Sequence, residues 1–425
     1  MASSTIALII MAVVIILYAT EIIPLAVTSV AACLAMAIFK VIPFKDAFAG
    51  FGSDTVMLVI GMVVIGNALF ETGVAKLIGT TIVRLVGTNE KIFLVTVILV
   101  AAAISAFMSN TATVAMFMPV IATVAVSSGG LITKKNTYMA LGIAAVAGGM
   151  CTLVGSTPQL IAQGILTKTG CRPMGFFELA YGGVPVVLAC AVYFFTIGYA
   201  LQKKVFDFPE KQEVAIAASA ATEEAPPNPV KMWISSLTLV GCIIAFVAQI
   251  WTVGTIALVG ALICVITGCI AEKKAYQTMD WVAVAVLGGA LGFADGLDKS
   301  GAGKLIADTA IRLLGQDASP WMVFALIVGV ATVLTNIMSN TAVTAMLTPI
   351  GIFMAKGLGL DPVTVVIGII LGANLSYATP IATTPVTLTL IGGYRFMDYV
   401  KVGGLFNILA YLVVIVVVPL FLPLR

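Results

Sequence analysis

The sequence predicts an all-α polytopic membrane protein built from two inverted repeats. Of its 425 residues, 61% are hydrophobic and 10% are charged, whereas about a quarter of the residues in a soluble domain are charged. Most of the chain lies in apolar segments close to the length that spans a bilayer. The pentapeptide Met-Ser-Asn-Thr-Ala at residues 108–112 occurs again at residues 338–342, each time inside a long apolar segment.

The first half, residues 1–201, is predicted to be one repeat with five crossings and one re-entrant hairpin. The N-terminal segment is apolar but lacks the basic region of a cleaved signal peptide, so we expect a retained span. The fourth span is interrupted at residues 155–158. Apolar runs place spans at about 5–20, 22–40, 54–72, 138–166 and 178–201, an amphipathic segment at 76–87 and the hairpin at 92–125.

The second half, residues 232–425, repeats this order. Residues 73–87 align without gaps with residues 301–315, and such a constant offset indicates an internal repeat. Five crossings is an odd number, so the second repeat is predicted to be inverted, giving about ten transmembrane helices, two hairpins and two broken helices. We expect spans at about 232–250, 252–271, 280–297, 363–392 and 403–423, an amphipathic segment after Gly301, a hairpin at 321–356 and a break at 382–385.

Residues 202–231 differ in composition from both halves. They carry many charged residues and the pair Pro226-Pro227, as expected of a solvated linker. By predicted side, 13 of the 22 Lys and Arg residues lie on the face that carries this linker and the mouth of the first hairpin. The positive-inside rule therefore predicts a cytoplasmic linker, two external termini and a cell-membrane location.

Composition disfavours several functional classes. The chain has no histidine and its seven cysteines form no CxxC pair, so we expect neither a metal cluster nor a disulfide framework. The sequence offers no nucleophile–base pair and no clustered acids, so we expect neither an enzyme nor an organic cofactor. It also lacks a run of basic residues, so we expect no nucleic-acid partner. Four acids lie near span ends, where we expect them to be solvated: Glu21, Glu71, Asp295 and Asp298.

The two Ser-Asn-Thr tripeptides, at residues 109–111 and 339–341, predict a binding site. Their side chains bond the backbone and interrupt helices, which a membrane tolerates only where the chain is buried in protein or lines an aqueous cavity. Helix N-termini offer N–H groups to an anion, and carbonyl, hydroxyl and amide oxygens suit sodium. We expect no ionisable side chain near either tip, so the pattern predicts one anion site between two sodium sites.

At these residues the sequence resembles the divalent anion:sodium symporter (DASS) family of the ion transporter superfamily, whose signature is the paired Ser-Asn-Thr motif. The resemblance covers nearly the whole chain. It implies a scaffold domain that forms a homodimer interface and a transport domain that carries the hairpins and broken helices. It also implies that the transport domain moves across the bilayer as an elevator.

The resemblance assigns residues to each site. A first sodium site would use Ser105, Ser109, Asn110 and Gly155, and a second would use Thr335, Met338 through its carbonyl, Asn340 and Ala382. The anion would contact Ser109, Asn110, Thr111, Ser156, Ser339, Asn340, Thr341 and Thr383. The chain departs from the family at Gln159 and Val386, where the family commonly has asparagine, and it has ten predicted crossings where eleven are usual.

The function implied is sodium-coupled secondary transport of a small di- or trivalent anion, with a C4-dicarboxylate as the first candidate. An anion exchanger, or a carrier of sulfate, citrate or another oxyanion, is the alternative within the family. A sodium/proton antiporter or an arsenite-type permease is the alternative within the superfamily. The antiporter needs a buried titrating acid, and the sequence places none well.

Overall fold

A computed structural model describes residues 2–74, 77, 89–209, 228–315 and 319–425. These residues form helices and turns, and no strand occurs among them, which confirms the all-α class. The predicted amphipathic segment at 76–87 lies outside the described residues except for residue 77. Residues 210–227 of the predicted linker also lie outside them.

Ten helices are described in the first half. A 3-10 turn, Gly50–Gly52, separates the third from the fourth. The helices are α1 (Ser3–Thr20), α2 (Leu25–Ile38), α3 (Phe44–Ala49), α4 (Asp54–Glu71), α5 (Glu90–Ser105), α6 (Asn110–Ser127), α7 (Lys134–Gly149), α8 (Thr157–Lys168), α9 (Ala180–Phe195) and α10 (Ile197–Val205).

Ten further helices are described in the second half. A 3-10 turn, Thr389–Gly392, follows α19, and a short turn at Phe396–Asp398 and a π-helical turn at Tyr399–Gly403 lead into α20. The helices are α11 (Pro229–Val247), α12 (Val253–Ile266), α13 (Glu272–Gln277), α14 (Trp281–Lys299), α15 (Ala302–Leu314), α16 (Pro320–Thr335), α17 (Asn340–Leu358), α18 (Pro362–Asn374), α19 (Thr384–Leu388) and α20 (Gly404–Phe421).

Left-handed backbone positions recur with the same spacing as the sequence repeat. Each lies where a helix ends, and L-residues other than glycine rarely adopt positive φ. Glu21 and Gln249 are two of the three non-glycine residues with positive φ in the described chain (48° and 51°). The pairs, 228 or 230 positions apart, are Glu21 and Gln249, Lys40 and Gly268, Gly73 and Gly301, and Gly129 and Gly359.

Seven helical segments in the described residues are long and apolar enough to cross a membrane, or eight if the bent pair α9 and α10 is one span. The protein is therefore an integral multi-pass membrane protein. The spans predicted at 22–40 and 252–271 contain only 14-residue helices, α2 and α12. Such a helix is about 21 Å long, which is shorter than the roughly 30 Å hydrocarbon core.

The fifth predicted span, 178–201, is not one straight helix. Its two halves, α9 and α10, meet at an angle of 54°. The break is at Thr196, whose φ of −114° and ψ of −102° lie outside the helical region, and whose Oγ1 donates to the Val192 carbonyl at 2.6 Å. Nothing in the apolar pattern of this segment indicates the bend.

Close glycine contacts hold one group of helices together. α2 packs on α14 and α4 packs on α12. A Cβ added to Gly289 would lie 2.5 Å from the Ser29 backbone, and one added to Gly61 would lie 2.4 Å from the Ala257 backbone. Against α8, in contrast, α14 presents side chains, since Gly164 faces the flexible ends of Leu287 and Leu291. The α8–α14 contact at this position is therefore made through side chains, not through closely packed backbones.

A carboxylate joins the mouth of the first hairpin to its surroundings. Glu90, the first residue of α5, accepts hydrogen bonds from Thr133 Oγ1 (2.6 Å), Asn136 Nδ2 (2.9 Å) and Tyr199 Oη (2.5 Å). Burial alone would raise the pKa of Glu90, but these hydrogen bonds lower it below its usual value. The charged carboxylate therefore ties α5, α7 and α10 together.

Candidate functional site

The two Ser-Asn-Thr motifs form the tips of two helical hairpins. α5 ends at Ser105 and α6 begins at Asn110, while α16 ends at Thr335 and α17 begins at Asn340. At both tips the last hydroxyl of the first arm lies 2.7 Å from the side-chain amide of the asparagine that begins the second arm. The same local contact therefore joins the two arms at both tips.

The two interrupted helices break at the predicted positions, and each break begins further upstream than the sequence predicts. α7 ends at Gly149 and α8 begins at Thr157, while α18 ends at Asn374 and α19 begins at Thr384. In each case a proline follows in the first helical turn, where its missing N–H costs nothing. Gly149 makes room for the first tip, since an added Cβ would lie 2.3 Å from Asn110 Oδ1.

Both tips and both breaks line one cavity of about 570 Å³. Of the thirteen residues that the sequence assigns to the anion and sodium sites, ten line it: Ser109, Asn110, Thr111, Gly155, Ser156, Ser339, Asn340, Thr341, Ala382 and Thr383. The other three, Ser105, Thr335 and Met338, are buried. Ser105 and Thr335 reach the site through their bonds to the two asparagines.

Residues 7–366 match the family model described as citrate transporter. The chain belongs to the citrate transporter family. Its resemblance to the divalent anion:sodium symporter family, expected from the paired motifs, is confirmed by this match and by its relatives. Membership shows that the protein is a transporter, as the sequence indicates.

Two related transporters match this chain over most of their length. An uncharacterised transporter of Haemophilus influenzae is 28% identical, covering 94% of this chain and 88% of the relative. The sodium-dependent dicarboxylate transporter SdcS of Staphylococcus saprophyticus is 24% identical, covering 95% of this chain and 83% of the relative.

Two solved transporters share the fold. MtrF of Neisseria gonorrhoeae, reported to illuminate a class of antimetabolite efflux pumps, superposes with a TM-score of 0.63 at 14% identity, covering 89% of this chain and 82% of MtrF. The YdaH transporter of Alcanivorax borkumensis gives 0.55 at 15% identity, covering 88% of this chain and 86% of YdaH. At such low identity these likenesses show the fold alone.

In this transporter the Asn110 amide lies at the centre of a group of oxygens. One end of the amide is 2.7 Å from Ser105 Oγ, 3.1 Å from the Gly155 carbonyl oxygen and 3.2 Å from the Ala145 carbonyl oxygen. With its NH₂ group at this end, the amide donates to these atoms. In the opposite orientation the amide oxygen would face only acceptors, so the NH₂ group belongs at this end. Sequence reasoning missed Ala145, because any residue can supply a carbonyl.

The second tip has a related arrangement. Thr335 Oγ1 contacts both Asn340 Oδ1 and the carbonyl of Ala373. Ala373 lies in the last turn of α18. Asn340 Nδ2 lies 3.4 Å from Asn374 Oδ1. Thr383 Oγ1 is buried in the cavity wall and has no hydrogen-bond partner within the described residues. Because buried hydroxyls are normally hydrogen-bonded, Thr383 is available to a bound solute.

Two buried amides were missed by sequence reasoning. Asn374 connects the halves, since its Oδ1 lies 3.4 Å from both Ser156 Oγ and Asn340 Nδ2. Gln159 joins the two sides of the first break, since its Oε1 accepts from Ser156 Oγ at 2.5 Å and its Nε2 donates to the Gly149 carbonyl at 2.8 Å. An amide in an apolar segment is the signal that could have identified Asn374.

The expectation that no ionisable side chain lies near either tip is wrong, since Glu21 accepts a hydrogen bond from Ser339 N at the second tip. The cavity also contains a carboxylate away from the tips. Asp280 lines the cavity. Its Oδ1 caps α14 by accepting from Ala283 N at 2.9 Å, and its Oδ2 lies 3.4 Å from Thr157 Oγ1 at the start of α8. Asp280 was overlooked because it lies more than a hundred residues from the first hairpin and only the folded chain brings it to the cavity.

The expectation of solvated acids is wrong for Asp295, whereas Glu21, Glu71 and Asp298 are exposed. Glu21 is exposed, but its Oε1 accepts from Ser339 N at the second tip over 3.1 Å. Asp295 is buried and pairs with Lys299 (2.9 Å) and Lys168 (3.6 Å). Glu71 and Asp298 are both exposed. Glu71 also forms an ion pair with Lys274 at 2.6 Å. A buried acid therefore exists, and it is ion-paired outside the cavity.

Proposed function

We propose that this transporter moves a small di- or trivalent anion, with a C4-dicarboxylate as the first candidate, together with sodium. The observation that carries the proposal is the single cavity lined by both hairpin tips and both helix breaks. Its volume of about 570 Å³ is in the range of small-molecule sites. The sodium dependence and dicarboxylate transport of SdcS support the choice.

The cavity suits an anion through helix ends rather than basic side chains. Its described lining contains no lysine or arginine. Among the helices of 12 residues or more, α6, α8 and α17 begin at it without an acidic cap, while α14 begins at it behind its Asp280 cap. Each N-terminus carries free N–H groups and a partial charge of about +0.5. The proposed anion contacts are Ser109, Asn110, Thr111, Ser156, Ser339, Asn340, Thr341 and Thr383.

Sodium would supply the remaining positive charge. We assign the first ion to Ser105, Ser109, Asn110 and Gly155, and the second to Thr335, the Met338 carbonyl, Asn340 and Ala382. The first assignment is supported by the kinds of atoms within 3.2 Å of the Asn110 amide, a hydroxyl and two carbonyl oxygens, because sodium prefers such oxygens. Asp280 in the cavity wall adds negative charge, which increases the need for co-bound cations.

The helix packing supports an elevator movement, in which a transport domain moves across the membrane relative to a scaffold domain. In this proposal the glycine-packed helices α2, α4, α12 and α14 belong to a scaffold that forms a homodimer. The hairpins and broken helices belong to the transport domain. The side-chain contact between α8 and α14 would be where the two slide. Residues 1–201 and 232–425 would be the inverted repeats, with residues 202–231 as a cytoplasmic linker and both termini outside.

Uptake into proteoliposomes tests the function. Purified protein is reconstituted, and uptake of labelled succinate is measured with an inward sodium gradient, with equal sodium on both sides and with choline in place of sodium. We expect accumulation only with the gradient. Uptake that is indifferent to sodium but requires succinate inside the vesicles would instead identify an exchanger. Competition by citrate and sulfate then ranks the alternative anions.

A further inference from the structure

An open pocket of about 780 Å³, which shares no lining residue with the substrate cavity, lies between the end of α10 and the turns before α20. Lys204 of α10 and Arg395 and Lys401 of the turns before α20 all line it. The bend at Thr196 contributes to this arrangement, because it directs α10 away from the axis of α9 by 54°. Three cations that are separated in sequence therefore face one space.

Among the described residues, these three cations differ from their basic neighbours in having no carboxylate partner. Lys203 pairs with Glu90 at 3.9 Å, Lys135 Nζ donates to the Phe208 carbonyl at 3.1 Å, and Lys91 lies over the Tyr199 ring at 5.1 Å. In the described part of the chain, no carboxylate lies within ion-pair distance of the three cations that line the pocket: Lys204, Arg395 and Lys401.

Two acids also line the pocket without cancelling its charge. Asp398 is buried, and its Oδ2 accepts a hydrogen bond from Arg395 N at 2.8 Å, so its carboxylate serves the local turn. Asp207 is exposed to solvent. The pocket keeps an excess of positive charge, and its guanidinium and ammonium donors are those that bind phosphate in proteins.

An apolar surface continues from the pocket along α20. Phe396 and Met397 at the rim are 47% and 53% exposed. Along α20, seven large apolar residues are exposed, and members three or four positions apart place them on one broad face: Leu405, Ile408, Leu409, Leu412, Val416, Leu420 and Phe421. The 18-residue helix is about 27 Å long, close to the thickness of the hydrocarbon core.

We propose that the pocket binds the phosphate of an anionic phospholipid whose acyl chains lie along the broad apolar face of α20. A basic pocket beside transmembrane helices favours anionic head groups, and the adjoining apolar face favours a lipid over a soluble phosphate. The bound lipid would bridge α10 and α20 and hold the bent end of α10 in place. This proposal is independent of the anion that the transporter moves.

Thermal unfolding of the purified protein in detergent tests the proposal. Phosphatidylglycerol, phosphatidylcholine and inorganic phosphate are titrated separately against wild type, the double variant Lys204→Gln/Lys401→Gln and the control Lys273→Gln/Lys304→Gln. The control removes the same charge from exposed lysines outside the pocket. We expect phosphatidylglycerol to raise the unfolding temperature of wild type and control, with half-saturation in the double variant at a concentration higher by about fivefold for each cation removed.

Three results would overturn the proposal: equal phosphatidylglycerol responses in the double variant and the control, equal stabilisation by phosphatidylcholine, or equal stabilisation by inorganic phosphate. The last would identify a site for soluble anions. If the double variant does not fold, the single variants Lys204→Gln and Lys401→Gln give the same test, each with an expected shift of about fivefold.

Discussion

Replacing Asn110 by alanine and by aspartate separates its two proposed roles. The amide contacts three oxygens at 2.7, 3.1 and 3.2 Å, and a hydrogen bond contributes about 1 kcal/mol. Alanine removes all three contacts, so we expect apparent affinities for sodium and anion to fall by about 2–3 kcal/mol, or about 30- to 150-fold. Aspartate keeps oxygens for the cation but loses the N–H donor and adds negative charge. It should therefore preserve sodium affinity and weaken anion affinity.

Binding of labelled succinate to the purified variants, titrated with sodium at fixed succinate and with succinate at fixed sodium, measures both affinities. Asn89→Ala is the matched control, because Asn89 caps α5 and does not line the cavity. Thermal unfolding establishes that each variant is folded. Wild-type affinities in Asn110→Ala, or the same loss of sodium affinity in the alanine and aspartate variants, would refute the assigned roles.

Three further predictions follow from the site and its surroundings. Asn374→Ala removes the acceptor shared by Ser156 and Asn340, so succinate affinity should fall about fivefold per lost bond, measured against Asn89→Ala; an unchanged affinity would contradict the bridge. Asp280→Asn removes a negative charge from the cavity wall, so succinate binding at low sodium should strengthen by about fivefold; weaker binding would show that the carboxylate serves the cation. The lowered pKa of Glu90 means that its stabilising effect is present above the usual value of 4.5 and is lost as the pH falls through the lowered value. The difference in unfolding temperature between wild type and Glu90→Gln should therefore shrink below pH 4.5, and a constant difference would contradict this.

The sequence predicted the elements whose signals are local. The hairpin tips follow from Ser-Asn-Thr in an apolar run, and the positions of Thr157 and Thr384 at the starts of half-helices follow from the prolines behind them. The upstream ends of the breaks, at Gly149 and Asn374, were less apparent because α-helical and extended apolar residues have similar composition.

Contacts that depend on tertiary structure could not be predicted. The bend at Thr196 arises within an ordinary apolar segment. Asp280 reaches the cavity only because α14 packs beside α8. Asp295 pairs with Lys299 on its own helix and also with Lys168, which lies on a helix of the other half. For Asp280 and for the second pair of Asp295 the partner is remote in sequence, and a single chain without its fold does not reveal which residues meet.

Equilibrium binding of labelled succinate as a function of sodium concentration tests the central claim most directly. If helix ends and co-bound sodium replace basic side chains in the cavity, the logarithm of the association constant should rise with the logarithm of sodium concentration, with a slope between one and two. Binding of equal strength in sodium and in choline, a slope of zero, would contradict the account.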